Sequence, residues 1–189
     1  NLKPGAGGGG LFGSAPSQTM VALDASRAAS WGESSMFSKA PAELRLWSLE
    51  DGAQIGTCPL ESPASGVLPL EDSSLLVLET SGSLVHLDAE GQEMWRAALS
   101  TKALDGLLVT EGGLVLAWAT GTSVGPVASI MQDTHIHRIV LETGEIRPAW
   151  ENHKSSLRQV MASGEQVVSL DASGALARFE PGGEGPTAE

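Results

Sequence analysis

Four short runs of this chain end in the same way, and that repetition constrains the fold more than any other feature. Leu44-Arg-Leu-Trp-Ser-Leu-Glu-Asp-Gly52, Leu84-Val-His-Leu-Asp-Ala-Glu-Gly91, Ile136-His-Arg-Ile-Val-Leu-Glu-Thr-Gly144 and Leu176-Ala-Arg-Phe-Glu-Pro-Gly182 each carry an acidic residue and a glycine after a strand-like stretch. Glycine supplies the positive φ that a tight hairpin turn demands. Gly52 and Gly91 lie 39 residues apart, Gly91 and Gly144 lie 53 apart, and Gly144 and Gly182 lie 38 apart. A period of about 40 is that of a four-stranded sheet repeated along a chain. The longer interval fits one unit plus an insertion, placed at Thr120 to Asp133, where Gly121, Gly125 and Pro126 break the periodicity.

The strands between these anchors can be read directly. One unit runs Val67–Leu70, Leu75–Glu79, Ser83–Asp88 and Glu93–Leu99. The next runs Leu107–Thr110, Leu114–Ala119, His135–Leu141 and Glu145–Trp150, and a third runs Leu157–Ala162, Gln166–Asp171 and Ala175–Glu180. A partial unit surrounds Met20–Asp24 and Leu44–Thr57. Apolar residues rarely recur at helical spacing, while turn signals arrive every eight to twelve residues, the all-β signature. The expectation is an all-β fold of the β-propeller type, with about three to four four-stranded antiparallel blades. Closing such a ring takes at least about four blades. Either the N-terminal region completes the first blade, or the chain is an arc of a larger ring. Residues 1–19 read as a glycine-rich flexible arm, 20–180 as the repeat domain and 181–189 as a polar tail, because the two ends have little to bury against their ordering entropy.

Charge and cysteine content narrow the function. Eleven basic and twenty-three acidic residues give a net charge of −12, which repels a phosphate backbone and anionic lipid alike. Nucleic acid is therefore excluded as a partner class. Cys58 is the single cysteine, so no internal disulfide and no cysteine metal cage can form. No run approaches the length of about eighteen apolar residues that spans a bilayer. The chain begins at Asn1 rather than Met, which leaves a removed leader and a longer N-terminal part both open.

The segment Val85-His-Leu-Asp-Ala-Glu-Gly-Gln-Glu-Met-Trp95 resembles the repeat of pyrroloquinoline-quinone-type propellers: a strand, an acidic turn with glycine, and Trp four residues later. Leu141-Glu-Thr-Gly-Glu-Ile146 followed by Trp150 is a looser copy. The order of Leu46-Trp47, Glu93-Met-Trp-Arg96, Gly113-Leu-Val-Leu-Ala-Trp118 and Ile139-Val-Leu-Glu-Thr-Gly-Glu-Ile146 is also similar to the N-terminal lumenal propeller of the largest subunit of the endoplasmic-reticulum membrane protein complex. That resemblance spans residues 44 to 180. It implies a scaffold on the lumenal side of the endoplasmic reticulum, in contact with other protein subunits, membrane proteins among them. Another organellar lumen or the periplasm is the alternative compartment. Quinone dehydrogenases of the first family carry adjacent cysteines beside the quinone. With Cys58 alone, the resemblance implies the fold without that cofactor, and no other cofactor is expected.

Asp133, His135 and His137 form the sharpest local constellation. Positions two apart on a strand share a face, so the three side chains could converge on a metal with a further ligand, His86 or His153. The plainer reading is a half-exposed pair at a strand entrance, without metal. Gly5 to Gly13 lacks the Lys and Ser/Thr of a phosphate loop, and the single Gly10-Leu-Phe-Gly13 unit reads as linker. Trp47, Trp95, Trp118 and Trp150 recur near strand ends, as packing residues do whose N–H finds a carbonyl. Gly52, Gly91 and Gly144 are expected to close the turns. The combined reading is a non-catalytic scaffold subunit of a multi-subunit complex. A metal-dependent enzyme or small-molecule sensor using the propeller funnel is the alternative.

Overall fold

Leu75-Leu-Val-Leu78 is apolar at every position, and such a strand is stable only with a packed layer on each face. The computed structural model, which describes residues 18–32, 42–122, 124, 130, 132–151, 153–164, 166–180 and 183, meets that requirement by stacking four antiparallel sheets. Sheet 1 holds β1 (Gln18–Ala22), β2 (Arg27–Gly32), β3 (Glu43–Ser48) and β4 (Gln54–Pro59). Sheet 2 holds β5 (Ala64–Pro69), β6 (Leu75–Glu79), β7 (Ser83–Leu87) and β8 (Glu93–Ala98). Sheet 3 holds β9 (Gly106–Val109), β10 (Leu114–Trp118), β11 (Ile136–Val140) and β12 (Ile146–Trp150). Sheet 4 holds β13 (Leu157–Ser163), β14 (Gln166–Asp171) and β15 (Leu176–Phe179) among the described residues.

Within every sheet the strands pair in chain order. The first strands approach one another from sheet to sheet, β1 to β5, β5 to β9 and β9 to β13. They therefore lie nearest a common axis, and β4, β8 and β12 form the rim. The partial first unit expected from sequence is a complete four-stranded sheet, and the sheet with three described strands is the last. β2 escapes sequence reading because Arg27-Ala-Ala-Ser30 has low strand propensity. Its small side chains leave room for Trp47, whose Nε1 donates to Ser30 Oγ at 2.8 Å. β1 begins at Gln18. Residues 1–17, Gly182, the remainder of the tail but Gly183, and much of the 120–133 insertion lie outside the described residues.

Alternate faces of each sheet feed separate cores. Leu44 and Leu46 of sheet 1 meet Leu75, Val77, Val85 and Leu87 of sheet 2. The other face of sheet 2, with Leu76, Leu78 and Leu84, meets Val115, Ala117 and Ile139 of sheet 3. Leu116, Trp118, Ile136 and Trp150 then meet Leu157, Val160, Val167 and Phe179 of sheet 4.

The acidic residue of the repeated turn caps backbone amides. Asp88 Oδ1 accepts from the amides of Glu90 (3.0 Å) and Gln92 (2.7 Å), and Asp51 Oδ1 accepts from Ala53 N at 3.1 Å. Such Asx turns hold a hairpin without ladder bonds. Gly52, Gly91 and Gly144 lie in these turns with φ of 72°, 82° and 71°. At Gly91 space is as restrictive as φ, because a Cβ there would run into the buried Cys58 Sγ.

Candidate functional site

The insertion between β10 and β11 returns to sheet 3 through Gln132 and Asp133, and this return builds the densest polar cluster in the described chain. Lys102 Nζ donates to the Gln132 carbonyl at 2.9 Å, Gln132 Nε2 donates to Thr120 O at 3.0 Å, and Ser156 Oγ bonds Gln132 Oε1. Residue 132 thereby ties the exit of sheet 2, the middle of sheet 3 and the entrance of sheet 4.

Asp133 is buried at the next position. Its Oδ1 accepts from His135 N (3.0 Å) and His135 Nδ1 (2.7 Å), and its Oδ2 accepts from Ser100 Oγ (2.6 Å) and His137 Nε2 (3.0 Å). An ionised carboxylate only accepts, so both imidazoles carry their proton on the nitrogen facing it. Burial alone would push the Asp133 carboxyl up. The bonds from His137, Ser100 and His135 outweigh it and hold the group well below the usual carboxylate range.

This geometry corrects two expectations. The pair is not uniformly half-exposed: His135 is, but His137 is buried. Nor do the three side chains face a shared vacancy. A carboxylate has about four lone-pair positions, and four donors fill those of Asp133. His86 and His153, the further ligands considered from sequence, sit in other networks, and no group of three metal-ligating side chains is assembled among the described residues. The cluster is a brace between sheets.

Replacing Asp133 by asparagine should therefore cost about 2 kcal/mol at neutral pH, because an amide NH₂ then faces donors in a buried site. The carboxyl's folded-state pKa is lowered, so its stabilising contribution is present above the unfolded value near about pH 4 and drains away as pH falls below it. Urea denaturation at pH 7 and in acid tests both parts. A difference between wild type and D133N that stays constant through the acid range would contradict this account of the carboxylate.

Two further polar networks join distant segments. His153 Nδ1 lies 3.2 Å from Asp171 Oδ2, and its Nε2 lies 2.5 Å from Ser169 Oγ. Serine, histidine and aspartate are connected in the order of a hydrolase triad, but Ser169 is fully buried, and a nucleophile has to reach its substrate. The arrangement locks the segment before β13 onto the β14–β15 turn. Sequence reading missed it, since nothing in the spacing of 153, 169 and 171 marks a pairing across a sheet.

His86 Nε2 lies 3.0 Å from Ser74 Oγ, whose hydroxyl donates to Asp72 Oδ1 at 2.6 Å. The imidazole must then donate from Nε2, and its buried Nδ1 has no partner among the described residues. Burial lowers the His86 pKa despite the nearby Asp72 and Asp88.

The tryptophans divide by partner. Trp95 Nε1 donates to the Leu141 carbonyl at 2.9 Å and Trp150 Nε1 to Gly183 O at 3.1 Å, each across a sheet boundary. Trp150 stacks on Phe179 with ring centroids 4.5 Å apart. Trp118 is buried with its Nε1 unpartnered among the described residues.

No family model and no curated protein matches this chain. Solved structures do. The computationally designed Ika4 protein aligns with a TM-score of 0.67 at 15% identity, covering 92% of this chain and 96% of that one. Hydrazine synthase of Kuenenia stuttgartiensis aligns with a TM-score of 0.63 at 13–14% of identity's upper figure, 14%, covering 88% of this chain and 46% of that one. The C-terminal WD40 domain of Sif2 aligns with a TM-score of 0.63 at 12% identity, covering 89% and 44%. The fold is a β-propeller. At such identities the likeness concerns the fold alone. The chain spans nearly the whole of one of these propellers and less than half the length of the other two.

Proposed function

We propose that this propeller is a non-catalytic scaffold subunit that holds other proteins within a multi-subunit, membrane-associated complex on the lumenal side of the endoplasmic reticulum, of the kind that inserts membrane proteins. The observation that carries the reading is a recurrent apolar rim. Ile55, Met94 and Ile146 stand exposed within the first two residues of β4, β8 and β12, the outermost strands of three successive sheets. Exposed apolar groups repeated along one border mark a surface that meets other proteins. The polar clusters support the same reading, since Asp133, His135, His137, Ser169 and His153 are engaged in joining sheets. The compartment rests on the resemblance of residues 44 to 180 to the lumenal propeller, and the charge of −12 fits protein rather than phosphate partners.

Affinity capture from native membranes, followed by mass spectrometry, tests this. Fixed partners, membrane subunits among them, are expected with the wild-type chain and should be lost with the triple variant I55S/M94S/I146S, whose circular dichroism should be unchanged. Wild-type protein that retains no partner would refute the scaffold role.

A further inference from the structure

Sheet 4 presents a face built like those that are covered elsewhere in the molecule. The turn glycines Gly82 and Gly174, with φ of 85° and 87°, bring sheets 2 and 4 into register. In sheet 2 the pair Leu78–Leu84 and its neighbour Leu76 lie on the face that meets sheet 3. The matching positions of sheet 4 are the pair Leu170–Leu176 and its neighbour Val168, with Met161 across from Val168. Leu76, Leu78 and Leu84 are 0% exposed, whereas Leu176 is 70% and Met161 53% exposed. The same repeat positions are thus apolar in both sheets and covered in only one. The chain's own sheet 1 does not cover this face.

We propose that a second copy of this chain covers it, joined head to tail: sheet 4 of each copy packs on sheet 1 of the other, completing a ring of eight sheets. Sheet 1 offers the complementary side. Its face turned away from sheet 2 carries Met20, 60% exposed, beside the half-buried Trp47. Trp47 takes the register position of Leu87, with which sheet 2 receives sheet 1: Ser48 and Asp88, the residues after them, make the matching turn bonds to Ala53 O and Gln92 O. The new junction would therefore repeat the three internal ones, and a two-fold axis makes it twice, so the contact closes instead of propagating. The arc's curvature fits such a ring, since it superposes on less than half of chains about twice its length. This surface is separate from the apolar rim, and the inference does not depend on the scaffold reading.

Light scattering coupled to size exclusion, with native mass spectrometry, tests the 189-residue chain itself. Wild type is expected at twice the 19.5 kDa chain mass. L176E and M20E, each at an exposed position, should both run as folded monomers with unchanged circular dichroism, and M161E should repeat the effect of L176E. Mixing L176E with M20E should restore dimers, because one of the two junctions is then free of substitutions. A wild-type monomer at micromolar concentration would overturn the proposal. So would a dimer that M20E leaves intact, which would mean that sheet 4 meets sheet 4. Loss of captured partners in the rim variant with the dimer retained would separate the two proposals.

Discussion

Replacing Gly106 by valine is expected to destabilise the protein by about 4 kcal/mol, combining overpacking with a displaced aromatic ring. Gly106 opens β9 and pairs with Trp118 across the strand boundary. A Cβ at 106 would fall within the Trp118 indole itself. That ring has no room to swing aside, because it is buried among Leu116, Ile136, Trp150 and Leu157. Either the indole leaves and a cavity remains, or β9 shifts outward and breaks its contacts with β5 and β13. Gly112 provides the control, since a Cβ there meets only Thr110 Oγ1, at 4.0 Å, and G112A should be close to neutral. Chemical denaturation followed by tryptophan fluorescence reads both variants. A loss under about 1 kcal/mol for G106V would show that the Trp118 site yields more easily than packed interiors do.

Replacing Glu79 by alanine should cost about 3 kcal/mol, the scale for removing one partner of a buried ion pair. The Glu79 side chain is fully buried at the end of β6, and its Oε2 lies 2.6 Å from Arg96 Nη1. Its Oε1 accepts from Glu61 N at 2.9 Å, so one carboxylate ties β8 and the entrance of the sheet to β6. Arg96 also bonds Glu93 at 2.9 Å. Glu93 keeps part of the guanidinium's pairing when Glu79 is removed, which places the cost at the lower end of that scale. In a double-mutant cycle, E79A with R96A should cost clearly less than the sum of the single changes. Strict additivity would mean that the pair contributes nothing beyond its separate packing.

The strands that sequence reading placed best are those with a single explanation. Leu75–Glu79 and Gln166–Asp171 are found as read, because an apolar run between two turn signals has few other uses. Gly52, Gly91 and Gly144 are legible for the same reason, as each follows a capped turn. β2 was hidden because its residues are chosen for their smallness beneath Trp47, a requirement set by a strand sixteen residues on. The Asp133 cluster shows a similar limit. Its members could be named from sequence, but their role depends on Ser100, which lies 33 residues earlier and reaches Asp133 only once sheets 2 and 3 have packed. Gly106 gave no signal at all, since its importance depends on the register that sets it opposite Trp118.

The three cores described above are shared pairwise, so the inner sheets are held from both sides and the outer ones from one. Stability in such a stack is close to a sum of neighbour terms, and opening should begin at its ends. Amide protons of β6, β7 and β10 then exchange with solvent only when the whole chain unfolds, while those of β14 and β15 exchange through fraying of sheet 4 alone. The carbonyl of Gly183 slows that fraying. It accepts from Arg138 Nη1 at 2.7 Å as well as from Trp150 Nε1, so the strand that leaves sheet 4 is anchored on sheet 3. A protease that removed the last seven residues would cut that anchor while leaving every described strand in place, and sheet 4 would become the first part of the molecule to melt.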